Sequence, residues 1–238
     1  MPQKRACDLS VQDRANIIRQ VDFGRDLSDE LLFQLATIST AFDYRRRRFV
    51  YRAGDAADSL YVIAHGRVKL CRIEAETQRE AVIDILSAGS LFGESALYSV
   101  AGLRENCAVA YETSRVLRLP VGDFQGGMAE NRSLYDYTFR LIGQRLVHAE
   151  RRVTDFALDA IPARLDKLLV EYSNRYGVLE SDGVLIDIPL PHREIASIVG
   201  STRESITVRL NAMRREGIID FVNRKILIKR PESLATAM

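Results

Sequence analysis

The stretch His192 to Arg230, HREIASIVGSTRESITVRLNAMRREGIIDFVNRKILIKR, decides how the rest of the chain is read. Ile195, Ile198 and Val199 recur at helical spacing, and Ala196 and Gly200 supply the small side chains that two crossing helices need. Gly200 turns the chain. Ser201-x-x-Glu204 then has capping-box spacing, so a second helix is expected to begin at Ser201. In it Ile206, Leu210 and Met213 lie within roughly 60° of one another and form the face to be buried. The other side presents Glu204, Thr207, Val208, Asn211 and Arg215, with Arg203 projecting from the first turn. Polar reach at the N-terminus of a helix whose back is packed elsewhere suits the major groove of DNA. Gly217 follows, then strands at 220–222 and 226–228 around Asn223-Arg224-Lys225, which together make a wing. Between Arg203 and Arg230 there are eight Lys/Arg and three Asp/Glu, a local excess suited to a phosphate backbone.

Beyond this stretch, 238 residues with 47% apolar content give room for two medium domains. The net charge is only +2, and residues 1–160 balance at 22 basic and 22 acidic, so the case for nucleic acid rests on the local patch. Cys7, Cys71 and Cys107 are too few and too scattered for a disulfide framework or a zinc set, and fit a reduced, cytoplasmic setting. The opening MPQKRACDLSVQDR lacks the apolar core of an export signal, and no segment approaches 18 uninterrupted apolar residues; neither export nor membrane spanning is expected. His148 and His192 have no nucleophile or carboxylate at diagnostic spacing, and His65 reads as a turn residue, so no enzyme is expected.

Residues 11–39 read as short helices, the second capped by Ser28. The run Arg45 to Arg48 reads as a solvated strand edge. Short strands follow at 49–51, 59–64, 67–74, 81–86, 107–111 and 115–119, the pattern of a closed or two-sheet antiparallel domain. Within them, LFGESAL (91–97) ends a strand at Gly93 and starts a short helix at Glu94. Glu94 can accept from a sugar hydroxyl and Arg104 can neutralise a phosphate. Equally, Glu94 can serve as a helix-start anion and Arg104 as a surface residue.

Residues 133–158 carry the longest helical pattern. Tyr135, Phe139, Ile142, Leu146, Ala149, Val153 and Phe156 form a heptad seam suited to an interface between two identical chains, while Leu134 and Leu141 can pack on the barrel. Pro162 fits the first turn of a further helix, which makes 153–163 the hinge candidate, and a strand at 184–188 leads into the opening stretch.

With REIASIVGSTRESI, AGDAADSLYVIAHGRVKL, LFGESAL and RLVHAERRV in this order, the chain resembles the CRP/FNR family of bacterial transcription regulators over nearly its whole length. The resemblance implies an α+β chain: a double-stranded, jelly-roll-like β-roll sensor at 1–130, a dimerisation helix and hinge at 131–160, and a winged helix-turn-helix at 161–238. It implies a homodimer on a palindromic site, with RNA polymerase as a further partner if the protein activates. Arg203 and Glu204 match the family's base-reading pair; Ser201, Thr207, Val208, Arg209, Asn211, Arg224 and Lys225 complete the expected DNA-binding set. Val208 stands where many members carry a further arginine, and Arg209, turned toward the core flank, is expected on a phosphate or another side chain.

In the sensor, the resemblance points to Gly93, Glu94, Ser95, Arg104, Asn106 and Glu150 as the effector-binding set. The phosphate-binding arginine falls at Arg104 counted from Glu94, but its place goes to Glu105 counted from Val109. Ala149-Glu150 stands where cyclic-AMP-responsive members carry two hydroxyl residues, so cyclic AMP is disfavoured. Another small effector, a cyclic dinucleotide, and regulation by abundance or by thiol chemistry at Cys71 or Cys107 stay open, although strand cysteines also read as plain buried residues. A four-cysteine iron–sulfur cluster within one subunit is excluded by the three cysteines. Haem stays open.

Overall fold

A computed structural model describes residues 5–234; the first four residues of the stretch read for an export signal, and the last four assigned to the C-terminal domain, lie outside the described residues. The chain divides into two compact units, Met1–Leu146 and Val147–Met238.

The first unit opens with β1 (Arg5–Cys7), α1 (Val11–Gln20) and α2 (Asp29–Ile38), the latter capped by Ser28 as expected. There follow β2 (Thr40–Tyr44), β3 (Phe49–Tyr51), β4 (Ser59–His65), β5 (Arg67–Ile73), β6 (Glu80–Ser87), β7 (Leu91–Phe92), β8 (Cys107–Ala110) and β9 (Ser114–Pro120). They pair into two sheets, β1-β2-β9-β4-β7 and β3-β8-β5-β6. All pairings are antiparallel. Strand alternation explains the roll. In β4, Tyr61 and Ile63 point between the sheets to meet Val68, Leu70 and Phe92, while Leu60 and Val62 point outward to a second core under α1 and α2. A sheet buried on both faces reads as a continuous apolar run, which is why LYVIA showed no alternation. Arg45 to Arg48 form the exposed turn between β2 and β3. The strands β1 and β2 and the helix α3 (Val121–Glu130) went unread in the sequence; β1 is only three residues long, too short for periodicity to register.

The helix α4 (Arg132–Leu158) contributes its first half to this unit, where Leu134, Tyr137 and Leu141 join the core under α1 and α2. The second unit holds the rest of α4, then α5 (Ile161–Tyr176) with Pro162 in its first turn. Next come β10 (Gly177–Glu180) and β11 (Gly183–Ile186), α6 (His192–Val199) and α7 (Arg203–Arg215), and the hairpin β12 (Ile219–Val222) and β13 (Lys225–Ile228). The wing is larger than expected, a four-stranded sheet in the order β10-β11-β13-β12. Its hairpin turn is the two-residue Asn223-Arg224, with φ of 50° and 66°, so Lys225 belongs to a strand and not to the loop.

Candidate nucleic-acid interface and sensor site

The turn between α6 and α7 is built around Gly200, which closes α6 in the left-handed region at φ 69°. The Ser201 amide donates back to the Ala196 carbonyl at 2.9 Å, so Ser201 is part of this turn. The expected cap at Ser201 is therefore corrected to Thr202, whose hydroxyl accepts from the Ser205 amide at 3.2 Å. Ile206, Leu210 and Met213 are each 0% exposed, which fixes the opposite face outward. Arg203, Glu204, Val208 and Asn211 are exposed on that face.

Two of the expected reading residues are held within the domain. The Thr207 hydroxyl donates to the Arg203 carbonyl at 2.7 Å and lies 2.8 Å from Nδ1 of His192, so Nδ1 carries the proton and donates to Thr207. Arg209 turns toward Asp166 of α5, Nη2 to Oδ2 at 3.8 Å. Burial raises the Asp166 carboxyl while the Arg209 charge lowers it. On the wing, Lys225 is paired with Asp187, leaving Arg224 exposed at the turn.

In the sensor, β7 ends at Gly93 (φ 80°) and a 3-10 turn, Glu94–Leu97, follows. Four residues of 3-10 turn present no helical anion site. Arg104 is 2% exposed. Its Nη1 donates to the Gly93 carbonyl at 2.8 Å and its Nη2 to the Ser59 carbonyl, and the guanidinium lies 4.4 Å over the Tyr51 ring. Glu105, the rival position, is exposed and paired with Arg72 at 2.9 Å. The surface alternative for Arg104 is thus overturned. A Cβ on Gly93 would stand 3.1 Å from Nη1 of Arg104 and 3.2 Å from the Tyr61 ring, so the arginine fits because residue 93 has no side chain.

Glu94 is 8% exposed and faces Arg145 of α4, Oε1 to Nε at 2.7 Å; Arg145 also donates to the Leu91 carbonyl at 3.1 Å. Among the described residues, four buried polar atoms around this centre make no hydrogen bond: Glu94 Oε2, Arg104 Nε, Asn106 Oδ1 and Arg145 Nε, the last held by its ion pair with Glu94. Unpartnered buried polar groups are costly, and a guanidinium N–H beside a carboxylate oxygen can serve an anion and a hydroxyl together. Ser95 lies in the same turn, its carbonyl accepting from the Ser99 amide at 2.8 Å. Glu150 belongs to the second unit. It lines a cavity of about 710 Å³ in the second unit, with Lys167, Glu171 and Leu234 among the other walls.

Residues 41–131 match the cyclic nucleotide-binding domain and residues 163–237 the Crp-like helix-turn-helix domain. The chain belongs to the CRP/FNR family. As a CRP/FNR protein it is a DNA-binding transcription regulator, of a family of regulators and not of enzymes. It is 29% identical over 193 residues to the global nitrogen regulator of Nostoc sp. PCC 7120, covering 81% of this chain and 86% of that one. It is 26% identical to the CRP-like cAMP-activated global transcriptional regulator of Mycobacterium tuberculosis, covering 81% and 85%. The c-di-GMP responsive global regulator CLP of Xanthomonas campestris shares the fold, with a TM-score of 0.73 and 20% identity over 84% of this chain and 99% of that one.

Several residues of this CRP/FNR chain were not legible as site residues. Arg145 sits in a helical heptad pattern like any surface cation, and only its contact with Glu94 sets it apart. Arg152 and Arg164 donate to the carbonyls of Ile198 and Val199, at 2.5 and 2.9 Å, and so satisfy the last turn of α6 with cations. Phe156, expected in the seam, also lies against the helix-turn-helix: a Cβ at Gly200 would lie 2.5 Å from its ring, while the side chain stays 44% exposed. The remaining seam residues are solvent-facing in the single chain, with Phe139 at 70% and Val153 at 69%, except Ile142, which is half-buried. No helix among the described residues is long and apolar enough to cross a membrane.

Proposed function

We propose that this regulator acts as a homodimer on a palindromic promoter site, with Arg203 and Glu204 reading base edges. The observation that carries this is the first turn of α7: both side chains are exposed while Ile206, Leu210 and Met213 behind them are fully buried. Arg203 can give two hydrogen bonds to guanine and Glu204 can accept from cytosine, while the exposed Val208 offers a methyl contact to thymine. Ser201, Asn211 and Arg224 flank this centre and serve the phosphate backbone, and Thr207 positions α7 against His192. Where the site lies in an activated promoter, RNA polymerase is the further partner, and the protein works in the cytoplasm.

The dimer is supported by the exposed stripe Tyr135, Phe139, Leu146 and Val153 on α4, with Ile142 and Ala149 on the same seam. Two copies of α7 then meet successive major grooves, about 34 Å apart. Activity is modulated at the sensor by a small anionic effector bearing a hydroxyl. The unpartnered atoms of Glu94, Arg104 and Asn106 favour this over ligand-free control. One relative is cAMP-activated and one fold neighbour c-di-GMP responsive. Glu150 in place of a hydroxyl donor argues against cyclic AMP here. An effector that competes with Arg145 for Glu94 would change how α4 leaves the sensor, and with it the hinge at 153–163.

The test is DNA selection with the purified protein, followed by titration of the selected duplex at several salt concentrations. Arg203→Ala and Glu204→Ala should each cost about 1 to 3 kcal/mol, or roughly 5- to 150-fold in affinity, and relax preference at one position of each half-site. Equal affinity of both variants and the native protein for the selected duplex would sink the reading. Repeating the titration with cyclic AMP, with cyclic di-GMP and with extracts of the native host tests the effector.

A further inference from the structure

We infer that Cys71 and Cys107 form a dithiol site that a peroxide converts to an intrachain disulfide. On the antiparallel pair β5 and β8, Cys71 stands directly opposite Cys107 in the register. Directly opposed residues project from the same face of a sheet, with Cα atoms about 4.5 to 5.5 Å apart. A disulfide needs Cα atoms about 4.4 to 6.8 Å apart, a span the opposed pair meets, and a small approach of the two Cβ atoms closes the bond. Alternation sends the neighbours Leu70 and Ala108 into the core between the sheets, which puts both cysteines on the opposite face of this sheet. Both are free thiols and both are buried.

The two sulfurs have different surroundings, which assigns them different roles. Cys107 opens β8 directly after the segment 98–106, and its Sγ accepts from the Ala53 amide at 3.4 Å. Cys71 lies deeper. Burial, and next the Glu80 carboxylate hydrogen-bonded to it, push its thiol up, so it keeps its proton at rest. Glu80 is paired with the buried Lys69 at 2.5 Å, which holds its carboxylate at the thiol.

The reaction balances with peroxide as the oxidant. The Cys107 thiolate attacks a peroxide oxygen, the O–O bond breaks, and a sulfenic acid forms as the other oxygen leaves with a proton as water. Cys71 then attacks the Cys107 sulfur, its proton passing to Glu80, and the displaced hydroxide takes up a proton as a second water. Two thiols and one peroxide give one disulfide and two waters, with two electrons passing from sulfur to oxygen. The bond pins the strand entered three residues after Arg104, so oxidation and the effector site share one segment of chain.

The full chain, oxidised with hydrogen peroxide and then alkylated in denaturant, tests this. One alkylated cysteine should remain out of three, with a Cys71–Cys107 cross-linked peptide that dithiothreitol reverses, and Cys7→Ser should leave the cross-link intact. In Cys71→Ala the Cys107 sulfenic acid should persist and be trapped by dimedone. Glu80→Gln should slow closure by at least about tenfold. Three alkylatable cysteines after oxidation, a cross-link that requires Cys7, or Cys107 passing to sulfinic acid while Cys71 stays free would overturn the proposal. An unchanged rate in Glu80→Gln would remove Glu80 from it. The mapping on the native chain decides the main point even where a variant fails to fold.

Discussion

His192 stands at the joint between α6, α7 and the wing, donating to Thr207 and lying 5.8 Å from the Phe221 ring, centroid to centroid. Burial, and after it the charge of Arg203, lower its pKa below the ordinary histidine value of 6.5. Between that lowered value and 6.5 the unfolded chain holds more proton than the folded one, so stability rises with pH through this window and is level above it. Acidification below pH 6.5 should therefore cost the native protein stability that His192→Gln does not lose. Thermal melts of both at pH 5.5, 6.5 and 7.5 check this: the gap between them should narrow as the pH falls, and a gap that widens would show the histidine to be held as a cation. The single-residue scale also shows why position matters more than type. Arg209 stands between the apolar Val208 and Leu210 and Arg104 beside the charged Glu105, yet it is Arg104 that is buried over Tyr51 while Arg209 leans on Asp166.

At the scale of elements, the pairing of α6 and α7 depends on a glycine for two separate reasons. Gly200 needs φ 69°, and a Cβ there would also meet the Phe156 ring at 2.5 Å. The left-handed backbone alone costs a residue with a side chain about 1 to 3 kcal/mol. Gly200→Ala should lose at least that much in urea unfolding followed at the second unit. Phe156→Ala should not rescue it fully, since removing the ring relieves the clash and leaves the backbone strain. The carbonyls at the end of α6 are served by Arg152 and Arg164, so Arg164→Ala should also destabilise this unit, by about 1 to 3 kcal/mol.

At the scale of the whole molecule, α4 is the element that belongs to both units. Leu134, at 0% exposed, anchors it in the first, while Phe139 and Leu146 stay exposed at 70% and 59%. Phe139→Glu and Leu146→Glu remove apolar contact from a dimer without touching either core. Sedimentation should then show a monomer with an unchanged circular dichroism spectrum, and affinity for a palindromic duplex should fall to that for a half-site. Dimers that persist in the double variant would move the interface elsewhere.

The sequence by itself determined what depends on local pattern. The order of elements, the cap at Ser28, the buried face of α7 and the inward Leu134 and Leu141 all follow from periodicity and short-range chemistry, which the backbone enforces within a few residues. Arg203 and Glu204 were legible for the same reason, since their exposure is the complement of a buried helical face. The tertiary structure decided whatever depends on where distant segments meet. It buried Arg104 and left Glu105 exposed, brought Arg145 to Glu94 across 51 residues of sequence, drew Phe156 onto Gly200, and set Cys71 opposite Cys107. These are register and packing outcomes. One residue of slip in a strand would reverse each of its side chains, so only the assembled sheets and helices could say which groups face one another.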